Sequence, residues 1–173
     1  TLLFAVSLWW TKLRKPPLPQ NASTETQRTY WRQRIKSDIA DKEAYLRLGL
    51  LEERAGYYTS AVKYLKAARA LGMPDKEICA ALGRALTHLA QDDEALLEMN
   101  KARTLEPDSV EVVANIAGLY VTQEQPKLAK EALLQFLQTH QKLDDASLRR
   151  LMFCFLECGE NETRSEEHTS ELQ

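Results

Sequence analysis

Gly49, Gly83 and Ala117 lie 34 residues apart, and so do Ala61, Ala95 and Ala129. The same step relates Tyr45, Cys79 and Val113; Leu48, Leu82 and Ile116; Leu65, Met99 and Leu133; and Ala68, Ala102 and Phe136. Six columns of apolar or small residues in one ungapped frame leave a chain few folds to choose from. A period of this size marks a solenoid, because one such unit cannot bury its apolar face alone and stacks on its neighbours to do so. Inside each unit the columns fall at helical spacing. In the first, a helix A over about Lys42–Ala55 turns near Gly56 into a helix B over about Tyr58–Leu71, which Gly72 and Pro74 then end. The fold class is all-α, with antiparallel helix pairs as the repeating element.

The spacing resembles the tetratricopeptide repeat. That pattern runs large, x2, large, small, x2, large, then x8 to a small residue, x3, large, x2, small, with a proline near the end. The resemblance implies a right-handed superhelical solenoid whose concave groove, lined by helices A, receives a protein or peptide partner. The frame gives repeat 1 at 42–75, repeat 2 at 76–109, repeat 3 at 110–143 and a partial repeat 4 at 144–163. Some positions depart from the pattern. Glu52 stands where an aromatic is expected, Phe136 replaces a small residue, and Pro126 opens a helix B early. In the fourth unit Leu148, Leu151, Phe155 and Gly159 fall into frame only after a one-residue insertion. Its apolar residues Leu151, Met152, Phe153, Phe155 and Leu156 are expected to lack cover.

Both ends differ from the repeats. Thr1–Trp10 is uncharged, ends in two tryptophans and runs into Lys12, Arg14 and Lys15. Tryptophan followed by Lys and Arg is the interface pattern of a membrane-spanning helix, although a full span takes about 20 residues. Residues 1–15 therefore read as a truncated single-pass anchor with its basic flank, and the chain as a fragment. Residues 16–26, with Pro16, Pro17 and Pro19, read as an extended polar linker. Residues 27–41 read as a capping helix with Trp31, Ile35 and Ile39 on one face. The last ten residues, Arg164–Gln173, match the translation of a common sequencing-adapter oligonucleotide and are set apart as a non-native tail.

Without that tail the chain is formally neutral, but its charge is uneven. Residues 1–36 carry Lys12, Arg14, Lys15, Arg28, Arg32, Arg34 and Lys36 against Glu25 alone, a net +6, which leaves 37–163 at −6. The positive-inside rule then places the repeats on the cytoplasmic side of the membrane. An acidic repeat domain repels phosphate, so nucleic acid is not the expected partner.

Residues that carry chemistry are few. Cys154 and Cys158 sit four apart, but a zinc site takes four ligands and no second pair is present. His88 and His140 have no neighbouring nucleophile or paired carboxylate in the sequence pattern. No enzymatic activity, metal or cofactor is expected.

Carried over by position, the resemblance puts Glu43, Leu46, Arg47, Leu50 and Arg54 in the groove from repeat 1. Repeat 2 supplies Glu77, Ala80, Ala81, Arg84, Thr87 and His88, and repeat 3 Glu111, Ala114, Asn115, Gly118 and Thr122. The lysine–asparagine clamp with which chaperone-binding members hold a terminal carboxylate maps to Leu46, Leu50, Ala81, Glu111 and Asn115. Only Asn115 fits. The candidate site is thus Arg47, Leu50, Arg84, His88 and Asn115, with the arginines offering charge-assisted bonds to an acidic group. The alternative, that Arg47 and Arg84 are solvated or paired with Glu43 and Glu77, stays open. Two functions fit. One is a membrane-tethered interaction scaffold. The other is the N-terminal docking module of a larger membrane-associated enzyme.

Overall fold

The computed structural model describes residues 22–140, residues 142–159, and the backbone of 160–171. Among them it is all-helical: α1 (Thr24–Ser37), α2 (Lys42–Arg54), α3 (Tyr58–Ala70), α4 (Cys79–His88), α5 (Asp92–Leu105), α6 (Val110–Thr122), α7 (Pro126–Thr139) and α8 (Asp145–Glu171). A short 3-10 turn, Asp75–Glu77, precedes α4. Successive helices pack on one another, and helices α2, α4 and α6 also meet directly, as the helices A of a solenoid do. The anchor, most of the linker and the end of the tail lie outside the described residues.

The pairing of α2 with α3 and of α4 with α5 depends on a missing side chain. A Cβ built on Gly49 would lie 2.8 Å from Cγ of Leu65, and one on Gly83 2.8 Å from Cγ of Met99. Both are closer than a Cβ contact allows, so the backbones approach as they do only because these positions are bare. Leu65 and Met99 are fully buried in return, each worth about 1.5–3 kcal/mol of transfer free energy.

The turns repeat as faithfully as the core. Tyr57 N–H donates to Glu52 O, Gln91 to Leu86 and Gln125 to Tyr120, at 2.9, 3.0 and 2.8 Å. These bonds stand 34 residues apart and close helices A in the Schellman manner. The motif needs a left-handed residue, which Gly56 provides at φ 81°; Ala90 (55°) and Glu124 (58°) adopt it with a side chain. Pro126 opens α7 at its first turn, where no N–H partner is lost.

Apolar packing forms two joined regions. One runs from Leu46 and Leu65 through Leu82, Leu86 and Met99 to Ile116. The other joins Val113, Leu133 and Phe136 to Leu151 and Cys158 of α8, and Tyr120 touches both.

Three expectations need correcting. Ile39 is not on the first helix: α1 stops at Ser37, Asp38 and Asp41 shape the loop that follows, and Ile39 is 78% exposed. The apolar face of α8 divides. Leu151 is buried and Phe155 half-buried against α6 and α7, while Met152, Phe153 and Leu156 are exposed. Glu77 belongs to the 3-10 turn and not to a helix A.

Candidate functional site

Helices α2, α4 and α6 stand side by side because α3 and α5 wedge between successive pairs on the other side. Of the positions carried over as groove lining, Leu46 and Ala81 are core residues, with relative exposures of 0% and 3%. The adjoining helices cover their column. The open surface consists of Arg47, Leu50, Arg54, Ala80, Arg84, Thr87, Asn115 and Gly118, all half-buried or exposed. A Cβ added at Gly118 would meet nothing within 4 Å, so the trough is unobstructed there.

Arg84 is the most constrained of these. Its Nε and Nη2 donate to both carboxylate oxygens of Glu53 on α2, at 2.8 and 3.3 Å, and its Nη1 donates to Glu111 on α6 at 2.7 Å. One guanidinium therefore ties three helices A together. Burial pushes its pKa down, but the hydrogen bonds and charges of Glu53 and Glu111 outweigh this and raise it, so the cation persists at any accessible pH. Glu77 is not its partner. Arg47 is held more loosely, by Glu43 one turn away at 2.6 Å, and remains half-exposed.

His88 and Asn115 do not join that cluster. The His88 ring stacks on Tyr58 of α3, 4.1 Å between centroids, at the C-terminal end of α4. Asn115 lies on α6, where its Nδ2 is buried without a protein hydrogen-bond partner. Such a group raises the free energy by about 1–3 kcal/mol until something accepts its proton.

Leu50 and Arg47 instead line a separate cleft between α1 and α2, of about 470 Å³. Gln27, Trp31 and Arg34 form the α1 wall. Glu43, Leu51 and Arg54 complete the α2 wall. The Arg34 guanidinium lies 5.1 Å from the Trp31 ring and bonds Asp41 at 2.7 Å.

Sequence reasoning missed the carboxylates that organise these surfaces. Glu52, which departs from the expected aromatic, is 2% exposed and receives Arg28 at 3.1 Å and Arg32 at 3.0 Å, both from α1. Glu98 is likewise buried and holds Arg69 of α3 at 2.6 Å, while Arg69 also reaches Asp75 at 2.7 Å. A charged residue in an apolar column was the available signal for Glu52; its partners lie 20 and 24 residues away, outside any column.

The cysteines are free thiols. Burial, with Glu98 nearby, pushes Cys79 up to about 11 in spite of Arg69, and burial also raises Cys154 and Cys158. They stay protonated at neutral pH, the unreactive form. Among the described residues no three His, Cys, Asp or Glu side chains group as a metal site would require.

No family model matches the chain, and no curated protein does. Solved structures do. The crystal structure of MamA superposes with a TM-score of 0.64 at 16% identity, over 83% of this chain and 91% of that one. YrrB, described as a TPR protein with an unusual peptide-binding site, gives 0.67 at 17% identity, over 83% and 70%. A tetratricopeptide repeat protein from Parabacteroides merdae gives 0.68 at 15% identity, over 83% and 56%. The chain has the fold of the tetratricopeptide repeat proteins.

Proposed function

We propose that this chain is a non-catalytic interaction scaffold, tethered to a membrane through residues 1–15, that takes a peptide or helix of a partner protein into its concave groove. The observation that carries the reading is the α6 wall of that groove. Asn115 keeps a desolvated, unpaired amide there, and Gly118, three residues on and therefore on the same helix face, leaves the space beside it open. The Asn115 side chain would turn outward to offer that amide to a backbone carbonyl of an extended ligand. Arg47 and Leu50 line the separate α1–α2 cleft and are left out of this wall. Arg84 acts as a strut that keeps the walls in place. The peptide-binding description of YrrB agrees with this use of the fold.

The tether rests on Trp9, Trp10 and the basic residues that follow, together with the net +6 of residues 1–36. No helix among the described residues is long and apolar enough to cross a membrane.

The test is a side-by-side affinity purification from membranes with the wild-type chain and an Asn115→Ala variant. A partner retained by the first and lost by the second is the expected result; equal recovery by both would remove the groove assignment. Membrane association that survives deletion of residues 1–15 would remove the tether.

A further inference from the structure

The 34-residue frame also covers α1, although none of the repeats includes it. Counting back from α3, the counterparts of Ala61, Leu65 and Ala68 are Gln27, Trp31 and Arg34. In α3 those three positions are fully buried. In α1 none of them is buried, and all three line the cleft against α2. Moreover, α1 packs on α2 as α3 packs on α4 and α5 on α6. So α1 stands in the place of a helix B, and the cleft is the place its helix A would fill.

The frame would put that helix at residues 8–20, which are unsuited to it. They contain Pro16, Pro17 and Pro19, and a helix interior does not tolerate them. They also carry Lys12, Arg14 and Lys15 with no acidic residue, whereas in the cleft Asp41 meets Arg34 and Glu43 meets Arg47, leaving Arg54 as the cation in excess. Like charges on both sides disfavour the match. Nor do the walls resemble an internal packing surface. Where α3 has Ala, Leu and Ala, α1 has Gln, Trp and Arg, the last two being residues that anchor protein–protein interfaces. Arg54 is exposed and has no ion-pair partner among the described residues.

We infer that the cleft between α1 and α2 is a docking site for an acidic amphipathic helix of a partner protein, which completes α1, a helix B with no helix A among the described residues. Apolar residues at i and i+3 or i+4 meet Trp31, Leu50 and Leu51. A carboxylate of the same helix bonds Arg54, and a second one competes with Glu43 for Arg47. The inference rests on the scaffold reading above but assigns the partner to the end of the solenoid and not to the trough at α4 and α6.

A display library of random 14-residue peptides, selected on the whole chain, tests it. The expected enrichment is of peptides with acidic residues flanking apolar ones at helical spacing. Their affinity should fall about tenfold or more in Trp31→Ala and in Arg54→Glu and be unchanged in Asn115→Ala. Arg54 is a surface residue, so the second variant keeps the test meaningful should the first loosen α1. Peptides that depend on Asn115 and not on Trp31 or Arg54 would overturn the cleft while leaving the groove reading intact. Peptides that depend on none of the three would overturn both. A self-association, seen by sedimentation and abolished by Trp31→Ala, would give the cleft to a second copy of the chain and overturn the partner assignment.

Discussion

The two ends of the described solenoid are fastened by opposite means. At one, α1 has no buried residue and is held by Arg28 and Arg32 converging on the buried Glu52, with Arg34 on Asp41 beside them. At the other, α8 inserts Leu151, Phe155 and Cys158 against α6 and α7. Apolar burial is non-directional and is not weakened by the screening that salt brings to charges. A buried ion pair is exacting in geometry, and removing one partner strands the other. The first end is thus suited to be remodelled by a charged ligand, and the second is suited to stay.

The largest break in this comparison should come from Leu151→Ala, which leaves a cavity under α8. The expected loss is about 3 kcal/mol in denaturant unfolding, with hydrogen exchange rising in α8 while α1 keeps its protection. Met152→Ser, at a 63% exposed position one residue along, should change stability by less than about 0.5 kcal/mol. Equal effects of the two would show that α8 does not pack as described.

A smaller and more local effect is expected at the opposite end. Glu52→Gln removes the charge that gathers Arg28 and Arg32, and should cost about 1–2 kcal/mol while selectively exposing α1 to exchange. Arg32 is half-exposed and can return to water, and the more buried Arg28 keeps Glu25, so the full penalty of a stranded charge does not apply. Raising salt from low to about 0.5 M screens the half-exposed Arg32 more than the buried Arg28, so α1 should loosen slightly in the wild type and α8 not at all; parallel responses would erase the contrast.

The smallest effect is expected from pH, at the ionic junction in the middle. Burial pushes the Glu98 carboxyl up, but the hydrogen bonds and charge of Arg69, with Lys101 behind it, outweigh this and hold it below the usual carboxylate range. A depressed carboxylate contributes stability that is present above its unfolded value, about 4.3, and is lost as pH falls through the folded one. Acid should therefore weaken the α3–α5 junction. Glu98→Gln should flatten the dependence of stability on pH below about 4.5, and an unchanged slope would remove Glu98 from the account.

What the sequence made legible was whatever repeats. The columns locate the helix pairs, the small residues at the crossings of Gly49 and Gly83, and the turn after α2, because each is dictated by neighbours in the same frame. Sites that break the frame were less readable. Glu52 looked like a defect until α1 brought two arginines to it. Arg84 was read as a receiver of anions, yet its own neighbours on α2 and α6 already fill that role. Leu46 looked like groove lining because its position was borrowed, whereas the helices beside it enclose it. Ile39 continued an apolar spacing past Ser37, but the side chains of Asp38 and Asp41 bond the backbone of the loop and of the next helix, ending the first.

Arg84 grips a carboxylate from the repeat before it and another from the repeat after it. Three successive helices A are therefore joined at a single side chain, like a cord drawn through three loops. Glu111, the more exposed of the two carboxylates, is the end of the cord that an incoming cation can reach.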